Sequence, residues 1–174
     1  ETALTLWQDA PERAYSFLVE AKQLGSEALT AVRQSVSDMR SDPLQGRLLE
    51  GAIATLIQEF HHTTGVLPEC HIDLSQPLSN QVNTVVYRIV QEGLTNIYKH
   101  ANATAVQIQI QTTSDGLLLV LQDNGSGFQV DQNRTGFGLQ GMRERTTALG
   151  AQLEITSAPG DGCRITARFP RIAS

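Results

Sequence analysis

Glu92-Gly93-Leu94-Thr95-Asn96-Ile97-Tyr98-Lys99-His100 sets a carboxylate, a carboxamide, an ammonium and an imidazole at helical spacing. Asn96, Lys99 and His100 follow Glu92 by four, seven and eight residues, so on an α-helix the four share one face. Val82, Val85, Val86, Ile89, Val90, Leu94 and Ile97 supply the apolar stripe of the same helix, which Ser79 can cap and which is expected to run to about His100. The amide oxygen of Asn96 suits a hard cation such as magnesium. Lys99 and His100 can meet phosphate oxygens, and Glu92 can accept a proton. A polar helix face is more often simply solvated, so the residues downstream decide its meaning.

Downstream lie two glycine-rich segments. Asp123-Asn124-Gly125-Ser126-Gly127-Phe128 closes an apolar strand, and Gly136-Phe137-Gly138-Leu139-Gln140-Gly141-Met142 leads into a helix from Leu139 to Leu149 that Gly150 ends. Glycines let backbone N–H groups approach phosphate, and a helix N-terminus adds a field that favours anions. Asp123 at the strand end can accept the amino hydrogens of adenine. Gly136, Gly138 and Gly141 also fit the dinucleotide fingerprint, but residues 129–135 before them are polar where that fingerprint needs a strand. No P-loop pattern occurs, and neither H-R-D nor D-F-G accompanies the glycines as a protein kinase requires.

Around these motifs the pattern is that of an α+β domain. A helix from Arg47 to Thr63 closes at Gly65, and a short strand follows between Val66 and Leu74. Thr104 to Gln111 alternates as a half-buried strand, and Ser114-Asp115-Gly116 turns it into Leu117 to Gln122. Gln152–Ser157 and Cys163–Phe169 form a last hairpin around Pro159-Gly160-Asp161-Gly162. The expected fold is a two-layer sandwich, a mixed and mostly antiparallel sheet with helices on one face. Before it, Asp9-Ala10-Pro11-Glu12 starts a helix whose apolar stripe reaches Met39, about eight turns with no partner of similar length. A boundary is placed between 41 and 42, the first part being half of a helical bundle.

Composition narrows the function classes. A net charge of −5 gives no general affinity for nucleic acid, and Lys22 and Lys99 are the only lysines. No apolar run reaches the length of a membrane span, and the distant pair Cys70 and Cys163 fits a reducing, cytoplasmic setting. The start at Glu1 points to a piece of a longer protein, anchored in a membrane or not. His61, His62, Cys70 and His71 match no familiar zinc spacing and read as surface residues.

Taken together, these residues resemble the catalytic and ATP-binding domain of two-component sensor histidine kinases, of the Bergerat fold shared with DNA gyrase. Glu92 to Ala101 looks like the family's asparagine box, Asp123 to Phe128 like its first glycine box, and Gly136 to Met142 like its second, in order and in register across residues 47–170. The likeness extends to the branch that signals through helix-turn-helix response regulators. There the segment between glycine boxes is short, and a dimerisation hairpin ends in a helix similar to Ala31-Val32-Arg33-Gln34-Ser35-Val36-Ser37-Asp38-Met39-Arg40.

The resemblance implies ATP and Mg2+ as ligands and transfer of the γ-phosphoryl group to a histidine, then to a response regulator. Glu92 would be the base, and Asn96 would hold magnesium. Lys99 and His100 would neutralise phosphate, and Asp123 would select adenine. Gly125, Gly127, Phe128, Gly136, Phe137, Gly138, Leu139, Gly141 and Met142 would border the nucleotide, with a compact lid between Gly125 and Gly141. Residues 1–41 would be the second helix of the hairpin, implying a homodimer in the intact protein. None of His61, His62, His71 or His100 sits in an acceptor context, so the phosphorylated histidine is expected outside this chain. Cys163 departs from the family, which usually places threonine there beside adenine. Two readings of the same pocket stand beside this one, a serine kinase of the anti-sigma type and an ATPase driving a conformational cycle. A non-catalytic interaction module that responds to ATP is a third.

Overall fold

Pro11 sits where a helix tolerates proline best, in the first turn, and residues 11–22 are helical. The Ala14 N–H donates to the Ala10 carbonyl at 3.0 Å, closing the first turn. A computed structural model of the protein describes residues 7, 10–22, 25, 44, 46–130 and 137–171. The continuation of this helix to Met39 lies outside the described residues. By its internal contacts the chain divides into two units, 1–41 and 42–174.

In the second unit, helix α1 (Leu49–Thr64) buries Leu49, Ala52, Ile53, Leu56, Ile57 and Phe60, the three-and-four spacing of an amphipathic helix. It stops because Gly65 adopts a left-handed φ of 76°, from which its N–H reaches the His61 carbonyl. Strand β1 (Glu69–Asp73) follows. Helix α2 (Asn80–Asn96) is capped as expected, the Ser79 side chain accepting from the Val82 N–H at 3.3 Å. Strands β2 (Val106–Thr113) and β3 (Gly116–Asp123) pair antiparallel, Thr113 facing Gly116 across the two-residue turn Ser114-Asp115. Helix α3 (Phe137–Ala148) and strands β4 (Gln152–Ser157) and β5 (Cys163–Pro170) complete the unit.

The sheet order is β1-β2-β3-β5-β4. β1 runs parallel to β2 and every other pair is antiparallel, the mixed and mostly antiparallel sheet read from the sequence. Val106, Ile108 and Ile110 are buried while Gln107 and Gln109 between them are exposed, so one face of β2 meets the core and the other meets water. The exposed face carries polar pairs, such as Gln107 to Glu69 and Arg168 to Glu154. Gly93 brings α2 down onto the covered face, since a Cβ there would stand 3.0 Å from Cδ1 of Leu121. Leu121 is two residues before Asp123, so this approach sets the helix beside the end of β3.

One element differs from expectation. The helix is not α-helical to His100, because a π-turn spans Ile97–Ala101 and ends at Asn102 with φ 50°. The wider turn frees carbonyls that the first glycine segment takes up. The Ser126 N–H donates to the Ala101 carbonyl at 2.7 Å, and Ser126 Oγ to that of His100 at 3.0 Å.

Candidate active site

At the end of β3, Asp123 pairs with Val106 on one side and Cys163 on the other. Its side chain is almost fully enclosed, at 4% exposure. Burial pushes its carboxyl above the ordinary carboxylate range, and the backbone N–H groups of Gly125 and Cys163 pull it part of the way back. The Gly125 N–H donates to Asp123 Oδ1 at 2.8 Å. Asn124, next in line, caps the start of β2: its Oδ1 accepts from the Thr104 and Ala105 N–H groups, both at 2.9 Å.

The glycines here are demanded by backbone contact. A Cβ on Gly125 would strike the carbonyl and Cβ of Ala101. On Gly127, which has φ 59°, it would strike the Ala158 carbonyl, and on Gly162, with φ 70°, that of Asp123. The Gly160 N–H donates to the Ser126 carbonyl at 2.7 Å, so the segment after β3 and the turn between β4 and β5 form one body. Phe128 is 38% exposed at its edge. Cys163, half-buried beside Asp123, has its thiol pushed up to about 11, first by burial and then by the Asp123 charge, with a hydrogen bond to Ser157 opposing.

At the other end, the α2 face meets α3. Glu92 and Asn96 are half-buried, whereas Lys99 and His100, beyond the start of the π-turn, are exposed. A Cβ on Gly138 would occupy the position of Glu92 Oε1. The glutamate therefore uses the space that the missing side chain leaves. Both glycine segments thus touch this helix, the first at Ala101 and the second at Glu92.

Some sequence readings change. The helix expected to start at Leu139 already includes Phe137 and Gly138. Gly138 tolerates a helical position because its neighbour needs the room, a tertiary demand that overrides glycine's poor helix propensity. Gly136 and the stretch 131–136 fall outside the described residues. Met142 is fully buried, and its side chain packs α3 onto the core. Leu139 is half-buried and packs against the same core. The atoms nearest a would-be Cβ on Gly141 belong to the tip of the flexible Arg145 side chain, 3.1 Å away. Ala101, Ser157 and Gly162 were not read as site residues. Cross-strand pairing of Asp123 with Cys163 is what puts the last two beside it.

The donor set fits a magnesium nucleotide. Glu92 and Asn96 offer hard oxygens one helical turn apart, and exposed Lys99 and His100 lie on the next turn. Among the described residues no group of three or more His, Cys, Asp or Glu could hold a metal ion, so a cation here would draw most of its ligands from phosphate and water. Among the same residues, no helix is long and apolar enough to cross a membrane.

Residues 81–173 match the family described as "Histidine kinase-, DNA gyrase B-, and HSP90-like ATPase". The chain is 37% identical over 158 residues to the signal transduction histidine-protein kinase/phosphatase UhpB of Salmonella typhimurium, covering 88% of this chain and 30% of that protein. It is 30% identical over 161 residues to DegS of Brevibacillus brevis, also named a signal transduction histidine-protein kinase/phosphatase, covering 91% of this chain and 42% of that one. The chain thus spans under half the length of these relatives. Among solved structures, the histidine kinase AdeS of Acinetobacter baumannii superposes with a TM-score of 0.59 at 15% identity, over 97% of this chain and 91% of that one. The histidine kinase domain of a blue-light activated kinase from Erythrobacter litoralis gives 0.58 at 22% identity, over 70% and 60%. At these identities the structural likeness speaks for the fold.

Proposed function

Because the chain belongs to the histidine kinase-, DNA gyrase B-, and HSP90-like ATPase family, we propose that residues 42–174 bind ATP with magnesium and serve as the catalytic part of a sensor histidine kinase. The observation that carries the reading is the double contact of α2 and its π-turn, with Gly138 at Glu92 and with Gly125 at Ala101. A polar helix face that was merely solvated would not meet both glycine segments.

In this reading Asp123 accepts the adenine amino hydrogens, and its ionised form is the one that binds. Gly125, Gly127, Phe128, Gly136, Phe137, Gly138, Leu139 and Gly141 border the nucleotide. Asn96 holds magnesium through its amide oxygen, while Lys99 and His100 balance phosphate charge. Magnesium, when bound, would neutralise charge on the phosphate oxygens. The acceptor imidazole's free nitrogen attacks the γ-phosphorus, an N–P bond replaces the P–O bond to ADP, and Glu92 takes the proton from the other ring nitrogen. Positioning and charge neutralisation dominate such a transfer.

The acceptor histidine lies outside residues 1–174, and residues 1–41 form the second helix of a dimerisation hairpin. A response regulator receives the phosphoryl group, the intact protein is a homodimer, and no nucleic acid is bound directly. This portion works in the cytoplasm, where ATP is.

The test supplies γ-labelled ATP and a histidine-bearing dimerisation hairpin to the chain. Acid-labile, base-stable label should appear on the hairpin and not on the chain itself, and Glu92→Gln should reduce it by about 100-fold or more. Acid-stable label on serine, or label retained by the chain alone, would overturn the assignment.

A further inference from the structure

Ser157, the last residue of β4, stands where the pieces around Asp123 meet. Its Oγ donates to the Gly162 carbonyl at 2.6 Å and accepts the Phe128 N–H at 2.9 Å. Cys163 faces Ser157 directly across the β4–β5 pair. One half-buried side-chain atom therefore ties together the segment after β3 and the turn before β5, beside the residue paired with Asp123. Its surroundings are backbone groups packed so closely that a Cβ on Gly127 or Gly162 would overlap a carbonyl. A further link between the two segments is the hydrogen bond from Gly160 to Ser126.

We propose that Ser157 is a positioning residue for recognition of the nucleotide base: its hydroxyl sets the separation between the Gly125–Phe128 segment and the β4–β5 turn, and so the place of Asp123 and Cys163 against the base. The inference rests on the ATP-binding reading. Without the hydroxyl, the Phe128 N–H loses its acceptor and the Gly160 bond to Ser126 is left with fewer hydrogen bonds beside it. The effect falls on the base end, because α2 with Asn96 and the π-turn with Lys99 make none of the Ser157 bonds.

The experiment measures ATP and GTP affinity, each with magnesium, together with the thermal midpoint, for the parent chain, Ser157→Ala and Ser157→Thr. Ser157→Ala should bind ATP about tenfold more weakly, the worth of a hydrogen bond or slightly more. Its GTP affinity should stay within about twofold of the parent's, so the preference for adenine shrinks. Ser157→Thr, which keeps the hydroxyl, should restore most of that preference. Unchanged ATP affinity in Ser157→Ala would overturn the inference. So would an equal loss for both nucleotides with a midpoint many degrees lower, since the residue would then serve the fold alone. A parent chain that binds no ATP refutes the nucleotide reading itself, and that is visible before any variant is made.

Discussion

Around Asp123 the site is made of backbone: a carboxylate at 4% exposure, N–H groups aimed at it, and three glycines pressed against carbonyls. Around Asn96 it is made of side chains, with Lys99 and His100 exposed at the end of a π-turn. The first region is fixed by backbone contacts, an arrangement suited to discriminating shape. The second offers exposed charge on long side chains, an arrangement suited to neutralising an anion more than to selecting its shape. Burial disfavours the ionised form of Asp123, and the backbone N–H groups of Gly125 and Cys163 offset part of that.

The difference breaks most visibly under a single methyl. Gly127→Ala must place a Cβ against the Ala158 carbonyl from a left-handed backbone, and should lose about 3 kcal/mol in urea unfolding. An unchanged midpoint would show the base end to be softer than described. Gly138→Ala should do the reverse. The obstacle is the end of the Glu92 side chain, which can move, and alanine suits a helix better by up to about 1 kcal/mol. Stability should hold or rise while phosphoryl transfer falls by about 10- to 100-fold as Glu92 is displaced.

These contrasts also separate what the sequence makes legible from what it hides. The strand alternation at Val106, Ile108 and Ile110, the Ser79 cap and the Gly65 stop are local effects, and all are readable. The π-turn is hidden because a periodicity of 3.6 simply continues an α-helix, and what widens it is the non-local demand of Ser126 for the His100 and Ala101 carbonyls. Gly138 reads as loop for the same reason: glycine is a poor helix former, and only the position of Glu92 explains it. Met142 follows an apparent glycine motif yet belongs to the core, since motif spacing says nothing about which side of a helix faces inward. Ser157 is a polar residue at a strand end, and only strand register places it beside Asp123.

Two smaller effects sharpen the comparison. The native carboxyl of Asp123 is raised, so the folded state holds its proton to higher pH than the unfolded chain does. Its contribution to stability is full below the ordinary value of 3.8 and is lost as pH rises through the raised native value. Asp123→Asn should remove that decline, leaving the variant at least as stable as the parent at pH 7 while its adenine preference disappears. A variant that unfolds more easily at pH 7 would contradict the sign. ATP affinity of the parent should fall as pH drops through the same window. Lys99→Ala should cost only about threefold in ATP affinity at low salt and almost nothing at high salt, as befits an exposed charge. A salt-independent loss would place Lys99 among the enclosed groups instead.

The most direct measurement is calorimetric titration of the chain with ATP, with and without magnesium, in the parent and in Asn96→Ala. The parent should bind ATP more tightly with magnesium, and Asn96→Ala should lose that gain, about 100-fold, while still binding nucleotide without the ion. Equal affinity in the two proteins with magnesium present would contradict the account.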